Sequence, residues 1–449
     1  MFNISFENTG LLSNFTECIN EFNKDEDSYS LLILSSVNNQ FVKDDKQLKA
    51  FDRLIKKTKK PIIGGFFPEL IFEARRKKIG NIFVKMPRGC GIFSIDNFTQ
   101  RDIQGSFSIL KFGTNMKGIK TILIFIDGLA KGRGINKFLE NLYEIIGEGV
   151  NYVGGRAGSL DISIEKCLFA SQKGLFKDGA IFLTTDYESA IGVKHGWKKY
   201  SEKPINVKAD DNILMEINGK SALEGYNELI KDDHSNKELN AKFIFGIEKA
   251  EDEELIIRDP FKYDENGGIR CIGGFPEDKQ IYIMTGEKES LINAARSVYD
   301  SANEISKDIP KSLKNCTLLF DCISRKNYLG NEFDQEIEVF YRRDNKTIGA
   351  LTIGEIASKT FPEFYNKTIV FCILKQKKKD MLNHLTPTEL EVAEYLRKGC
   401  TNLEIAEILS KSVHTINGHV KNMLKKLDVT TRTEIAYILG ASGIFDHID

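Results

Sequence analysis

The chain has 449 residues, enough for two or three domains at roughly 150 residues each, and its apolar fraction of 41% supports real hydrophobic cores. A formal net charge of −1 and a pI near 6.6 exclude a general basic surface, so any nucleic-acid binding has to be local. Residues 1–10 lack the charged and apolar regions of a secretion signal, and no apolar run approaches the ~20 residues a bilayer demands, so a cytoplasmic protein without membrane contact is expected.

From Ser30, Leu31-Leu32-Ile33-Leu34 predicts a buried strand, Leu48 to Ile55 has helical spacing, and Pro61-Ile62-Ile63-Gly64-Gly65 predicts a strand ending on paired glycines. The pattern repeats with a strand from Ile119 to Ile126, an amphipathic helix from Ile135 to Ile146, and a strand Asn151-Tyr152-Val153-Gly154-Gly155. Such alternation predicts an α/β layer. A third apolar-Gly-Gly end, Ile272-Gly273-Gly274, follows a charged, helix-poor stretch from Lys231 to Glu254. Because glycine has no Cβ, these ends mark either close approach of backbone to a ligand or three tight turns. The glycine-rich run from Gly128 to Gly134 lacks the phosphate-loop spacing with its terminal Gly-Lys-Ser/Thr, which argues against a nucleotide triphosphatase.

Further strands are predicted at Ala180 to Thr185, Ile191 to Trp197, Asn315 to Ile323, Ile337 to Tyr341, Ala350 to Gly354 and Thr368 to Leu374. Lys375-Gln376-Lys377-Lys378-Lys379 predicts a solvated basic linker. The expected fold is an α/β (or α+β) region with mixed sheets, followed by a small all-α unit of four helices. Eight cysteines, Cys18, Cys90, Cys167, Cys271, Cys316, Cys322, Cys372 and Cys400, show no Cys-x-x-Cys spacing, and neither a zinc site nor a disulfide framework is indicated.

The four C-terminal helices are bracketed by their caps. Thr386-Pro387-Thr388-Glu389 is a capping box with proline at the first helical position, flanked by a Leu385/Leu390 staple and closed by Gly399. Thr401-Asn402-Leu403-Glu404 opens a second helix and Thr431-Arg432-Thr433-Glu434 a last one. Between them, Ser412 begins a helix with an apolar stripe of Ile416, Val420, Met423, Leu424 and Leu427. Its other face carries His414, Thr415, Asn417, Gly418, Lys421, Asn422 and Lys425. That pattern fits either a small interaction bundle with a solvated face or a helix-turn-helix whose lysines meet phosphate and whose amides meet base edges. His414 and His419 are five residues apart, which does not place them on one face for a metal.

These residues resemble the LuxR-type helix-turn-helix family from end to end: Leu385 to Glu389, Gly399 to Ala406, and Ser412 to Val420, ending in Leu424-Lys425-Lys426-Leu427. The resemblance implies binding to double-stranded DNA through the helix from Ser412. It further implies a final helix that pairs two subunits, and two half-sites roughly 34 Å apart call for a homodimer. Relatives usually carry Lys or Arg at the place of Asn417, and Gly418 costs a helix interior up to ~1 kcal/mol, so modest phosphate affinity is expected.

The preceding region resembles the FIST sensory domain. Its amino-terminal half matches at Thr121 to Gly155, Ile191 to Trp197 and Gly219 to Tyr226; its carboxyl half matches at Leu319 to Arg325, Ile348 to Ile356 and Asn366-Lys367-Thr368-Ile369-Val370. The boundaries so implied are 1–230 and 231–375 for the sensory halves, 376–384 for the linker and 385–449 for the helix-turn-helix. The resemblance implies a sensor of small ligands, amino acids among them, and extends to haem-based nitric oxide sensing. Arg156 and Arg325 are candidates to fork onto a ligand carboxylate, and Glu355 to receive an ammonium; each has a plain alternative as a surface charge or an interior salt bridge. His195, beside Trp197, is a candidate ligand contact or haem axial nitrogen, or else a hydrogen-bonded structural residue. Cys322 beside Arg325 is the place where a thiol enzyme would carry its nucleophile, although no histidine lies nearby in sequence to act as base. A non-enzymatic regulator without metal is the leading expectation.

Overall fold

The computed structural model describes residues 2–86, 90–96, 118–128, 135–159, 164–231, 239–248, 254–275, 280–306, 314–343, 346–358, 361–375, 382, 385–427 and 429–440. The chain divides into two compact units. The larger comprises Phe2–Ile305 and Thr317–Cys372, and the smaller Met1, Ser306–Cys316 and Ile373–Asp449.

The larger unit uses one motif three times. Ser30–Ser36 runs parallel to Ile62–Phe67, Thr121–Asp127 to Asn151–Ala157, and Lys314–Cys322 to Ile348–Thr352. A parallel pair requires a crossover connection. The crossovers carry the helices Asp45–Lys57 and Ile135–Ile146, and in the third case Ile323–Leu329 with Phe333–Arg343. Among the residues of these strands whose burial is described, all but the half-buried Asn151 are buried, as strands covered on both faces must be.

In every repeat a glycine on the second strand stands opposite the first: Gly64 against Ile33, Gly154 against Ile124, Gly349 against Leu319. A Cβ at these positions would fall 2.5, 1.9 and 1.8 Å from the carbonyl oxygen of the partner. The glycines therefore serve the approach of backbone to backbone rather than to a ligand. The third member of the series is Gly349 and not the expected Gly273. Gly273 sits at φ +87°, in a turn packed on Arg258. Phe67, Phe125 and Phe320, one from each repeat, meet edge to face with ring centroids 5.1 and 5.4 Å apart.

Among the described residues each parallel pair lies in its own six-stranded sheet, and strands distant in sequence complete the sheets. Ile348–Thr352 pairs with Leu70–Phe72, and Glu355–Ser358 pairs with Asn151–Ala157, placing Glu355 opposite Gly155. Phe243–Ile247, Ile256–Tyr263, Ile269–Ile272 and Ile281–Thr285 form an additional antiparallel sheet.

Two sequence-based expectations are corrected. Ile337 to Tyr341 is helical, because Phe333, Ile337 and Phe340 recur at three and four residues and are all buried on one face. The strand from Glu188 stops at Lys194, so His195-Gly196-Trp197 forms a turn with Gly196 at φ +79°. The linker 376–384 lies outside the described residues except for Leu382, as does nearly all of the glycine-rich run after Gly128.

The smaller unit contains the helices Pro387–Arg397, Asn402–Ile408, Val413–Lys426 and Arg432–Gly440. Helices shorter than ~12–15 residues are marginal alone, so packing has to hold these. Val392, Leu396, Ile405, Ile416, Met423 and Ile435 supply it from all four, and each burial contributes roughly 1.5–3 kcal/mol. No helix among the described residues is long and apolar enough to cross a membrane.

Candidate functional site

The caps of the smaller unit set the angles of its helices. Thr386 accepts from the Glu389 amide at 3.2 Å while Glu389 accepts from the Thr386 amide at 2.8 Å. Thr401 with Glu404 and Thr431 with Glu434 make the same reciprocal pair, and Ser412 accepts from the Thr415 amide at 3.0 Å. Gly399, at φ +87°, ends the first helix, with the Cys400 amide donating back to the Tyr395 carbonyl at 3.0 Å.

Glu389 has a second task, receiving the Lys426 ammonium at 2.6 Å from the end of the third helix. Burial pulls this carboxyl upward, but Lys426 and the Thr386 amide outweigh it and hold it below the usual range. The third helix is thereby fixed at both ends. It buries Ile416, Val420 and Met423 and exposes His414, Thr415, Asn417, Gly418, Lys421, Asn422 and Lys425. The Asn417 side chain is oriented by the second helix, since Asn402 donates to its Oδ1 at 2.7 Å. A Cβ on Gly418 would meet nothing within 4 Å, so this part of the face is open. The result is one exposed strip of amides, imidazole and ammonium groups on a buried support.

In the larger unit the sequence candidates are interior groups: Arg325 reaches the His195 carbonyl, and Cys322 reaches Glu355. Arg325 is fully buried at the start of the helix after Lys314–Cys322. Its guanidinium is bidentate to Glu336, with Nε 3.2 Å from Oε1. The remaining donors reach the carbonyls of His195 at 2.5 Å, Lys367 at 3.1 Å and Leu291 at 3.1 Å. That geometry is an interior clamp on three segments, with no donor left for a ligand carboxylate.

Cys322 and Glu355 are brought together instead. Glu355 is fully buried, accepts from the Thr352 hydroxyl at 2.8 Å and the Thr368 amide at 3.3 Å, and lies within reach of the Cys322 thiol. Burial pushes its carboxyl up to about 8, and it pushes the Cys322 thiol up as well, with Glu355 adding to the effect. A thiol so held is protonated and poorly suited to attack.

His195 is 4% exposed and its Nδ1 accepts from the Trp197 amide at 2.8 Å. Its Nε2 lies 3.4 Å from Glu254, and burial lowers the imidazole to about 4. Nδ1 is taken by the Trp197 amide. Nε2, although without a hydrogen-bond partner among the described residues, faces the Glu254 carboxylate in a site closed to solvent, so the residues present do not fit an axial haem ligand. Among the described residues no group of three or more metal-ligating side chains converges. Arg156 is also buried, donating to the Gly128 carbonyl and lying 5.5 Å from the Phe364 ring, with its pKa pulled down to about 10 by burial.

A concave groove of about 690 Å³ is lined by none of the sequence candidates. Asp259, Phe261, Lys262, Asn327, Tyr328 and Lys367 form much of its wall. Lys367 is 3% exposed, sits at φ +47°, and points its ammonium at Asp259 at 3.2 Å and the Ala241 carbonyl at 3.4 Å. The faces of Trp197 and Tyr328 lie 5.1 and 5.6 Å from the same nitrogen. The available signal was Asn366-Lys367-Thr368, read in the sequence for its family likeness and not for its charge.

Comparison with known families matches residues 13–220 to the FIST N domain, 222–358 to the FIST C domain and 383–439 to bacterial regulatory proteins of the luxR family. Among curated proteins the chain is 34% identical over 83 residues to the nitrate/nitrite response regulator protein NarP of Escherichia coli (strain K12), covering 18% of this chain and 39% of that one. It is 38% identical over 84 residues to the transcriptional regulatory protein LiaR of Bacillus subtilis (strain 168), covering 18% and 40%. It is 41% identical over 56 residues to the regulatory protein SdiA of Escherichia coli (strain K12), covering 12% and 23%. The chain thus spans well under half the length of each of these three relatives.

Proposed function

Because the chain belongs to the FIST-domain proteins that end in a luxR-family regulatory domain, we propose that it is a cytoplasmic transcriptional regulator in which the FIST region binds a small molecule and so controls DNA binding. The observation that carries this reading is the third C-terminal helix, whose buried stripe of Ile416, Val420 and Met423 leaves His414, Thr415, Asn417, Lys421, Asn422 and Lys425 on one exposed strip. Lysines there meet phosphate, and the asparagine amides meet base edges. A homodimer sets two such helices at the spacing of two half-sites. The ligand acts by population shift, binding the DNA-competent and the incompetent arrangements with different affinity.

The test is an electrophoretic shift of the protein's own promoter fragment at several salt concentrations. Lys421→Ala with Lys425→Ala should weaken binding to all fragments alike and reduce the salt slope by about 2. An unchanged slope in that double variant would remove the assignment of the DNA face.

A further inference from the structure

We propose that the groove walled by Lys367, Lys262, Asp259 and Phe261 is the input site of the FIST region, and that it takes a small monoanionic carboxylate with an apolar or aromatic body. The inference rests on the reading of the FIST region as a ligand-binding input.

The charge of the lining selects the sign. Lys262 and Lys367 supply two ammonium groups against the single carboxylate of Asp259, a net of +1 in a chain whose total is −1. One added negative charge balances that lining. A dianion would face Asp259 with a surplus, and a cation would meet two like charges.

The position of Lys367 selects the contact. An ammonium has three donors. Asp259 and the Ala241 carbonyl take two, and among the described residues the third meets only the faces of Trp197 and Tyr328. That donor has no acceptor among the described residues, and Lys367 lines the groove, so a carboxylate seated there would supply one without breaking the Asp259 pair. The nitrogen is also held in place. Lys367 occupies a left-handed backbone conformation unusual for a residue with a side chain, and its carbonyl is fixed by the fully buried Arg325. Arg325 simultaneously holds the carbonyl of His195, two residues before the tryptophan that backs the ammonium.

The body of the ligand follows from Phe261. It is 56% exposed on the groove wall, an aromatic surface left to solvent where Tyr263 and Tyr328 also line the space. Asn327 and Ser324 add polar groups on the same wall. A volume of about 690 Å³ lies within the ~300–1,000 Å³ typical of metabolite sites.

The experiment measures thermal shift and calorimetric binding on the full chain with phenylacetate, phenylpyruvate and isovalerate. Phenethylamine and phenyl phosphate serve as the matched cation and dianion. At least one monocarboxylate should bind, its affinity falling roughly tenfold or more in Lys367→Met, as loss of a charge-assisted hydrogen bond implies. Phe261→Ala, on an exposed side chain, keeps the fold and should weaken the two aromatic acids while sparing isovalerate. Binding that is equal in wild type, Lys367→Met and Phe261→Ala places the site elsewhere and overturns the proposal, as does a stronger response to the amine or the phosphate. If none of the three acids binds, the groove assignment is overturned as well. The input reading would then stand or fall separately, on whether a metabolite extract shifts the melting of the full chain.

Discussion

The carbonyl oxygen of Ile124 occupies the space in which a side chain on Gly154 would begin: a Cβ there would lie 1.9 Å away. The same relation joins Leu319 to Gly349 and, less tightly, Ile33 to Gly64. Three parallel pairs thus depend on a missing methyl group. Gly154→Ala should destabilise the larger unit by about 3 kcal/mol or more, since both the clash and a φ of +152° oppose alanine. Urea denaturation followed by circular dichroism checks this. Gly147→Ala is not an innocent control, because its φ of +89° also resists a side chain, but its Cβ meets nothing within 4 Å, so its cost should be the smaller.

The Arg325–Glu336 pair predicts strong coupling. Asp321 shares the buried site, 3.4 Å from the Arg325 Nε, so Arg325→Met leaves Glu336 and Asp321 buried without their cation and should cost about 3–5 kcal/mol. Arg325→Met with Glu336→Leu should recover part of that loss, and a double-mutant cycle by chemical denaturation measures the coupling. A coupling energy near zero would show that the guanidinium acts through Asp321 and the three carbonyls it also holds.

Glu355 predicts a pH dependence with a definite sign. Its folded-state pKa, about 8, lies above its ordinary value, so between roughly pH 4.5 and pH 8 the folded protein holds a proton that the unfolded chain releases. Stability should therefore fall as pH rises through that window, by at most about 1.4 kcal/mol per pH unit from this group. Glu355→Gln keeps an acceptor for Thr352 and should flatten the fall. Melting temperatures of both proteins from pH 5 to pH 8 decide it, and parallel curves would refute the assignment to Glu355.

Gly418 predicts a gain in stability. A methyl group there meets nothing within 4 Å and the backbone is helical, so Gly418→Ala should stabilise the smaller unit by up to about 1 kcal/mol. Calorimetry of the full chain should show its transition several degrees higher. A lower transition would mean that the glycine is needed for packing.

The sequence made the C-terminal unit legible almost residue by residue, because capping boxes and apolar stripes are local chemistry. Thr386/Glu389, Thr401/Glu404, Thr431/Glu434 and Ser412 all cap as read. The parallel repeats were half legible. Gly64 and Gly154 stood out as halves of glycine pairs, whereas Gly349 stands alone between Ile348 and Ala350 and gave no comparable mark. Ile337 to Tyr341 was misread because a short apolar run does not declare its period without its neighbours. The groove was hidden for another reason. Asp259 and Lys367 are 108 positions apart, and nothing local announces that one will neutralise the other.

The reach of Arg325 also bears on how this chain can be cut. It belongs to the segment matched by the FIST C domain, yet one of its carbonyl partners, 130 positions earlier, belongs to the segment matched by FIST N. Expressed separately, the carboxyl half would carry a buried guanidinium short of a partner, and the amino half would leave the His195 turn unanchored. The two halves carry two family labels, but they should be obtainable in folded form only as one translation product or by co-expression.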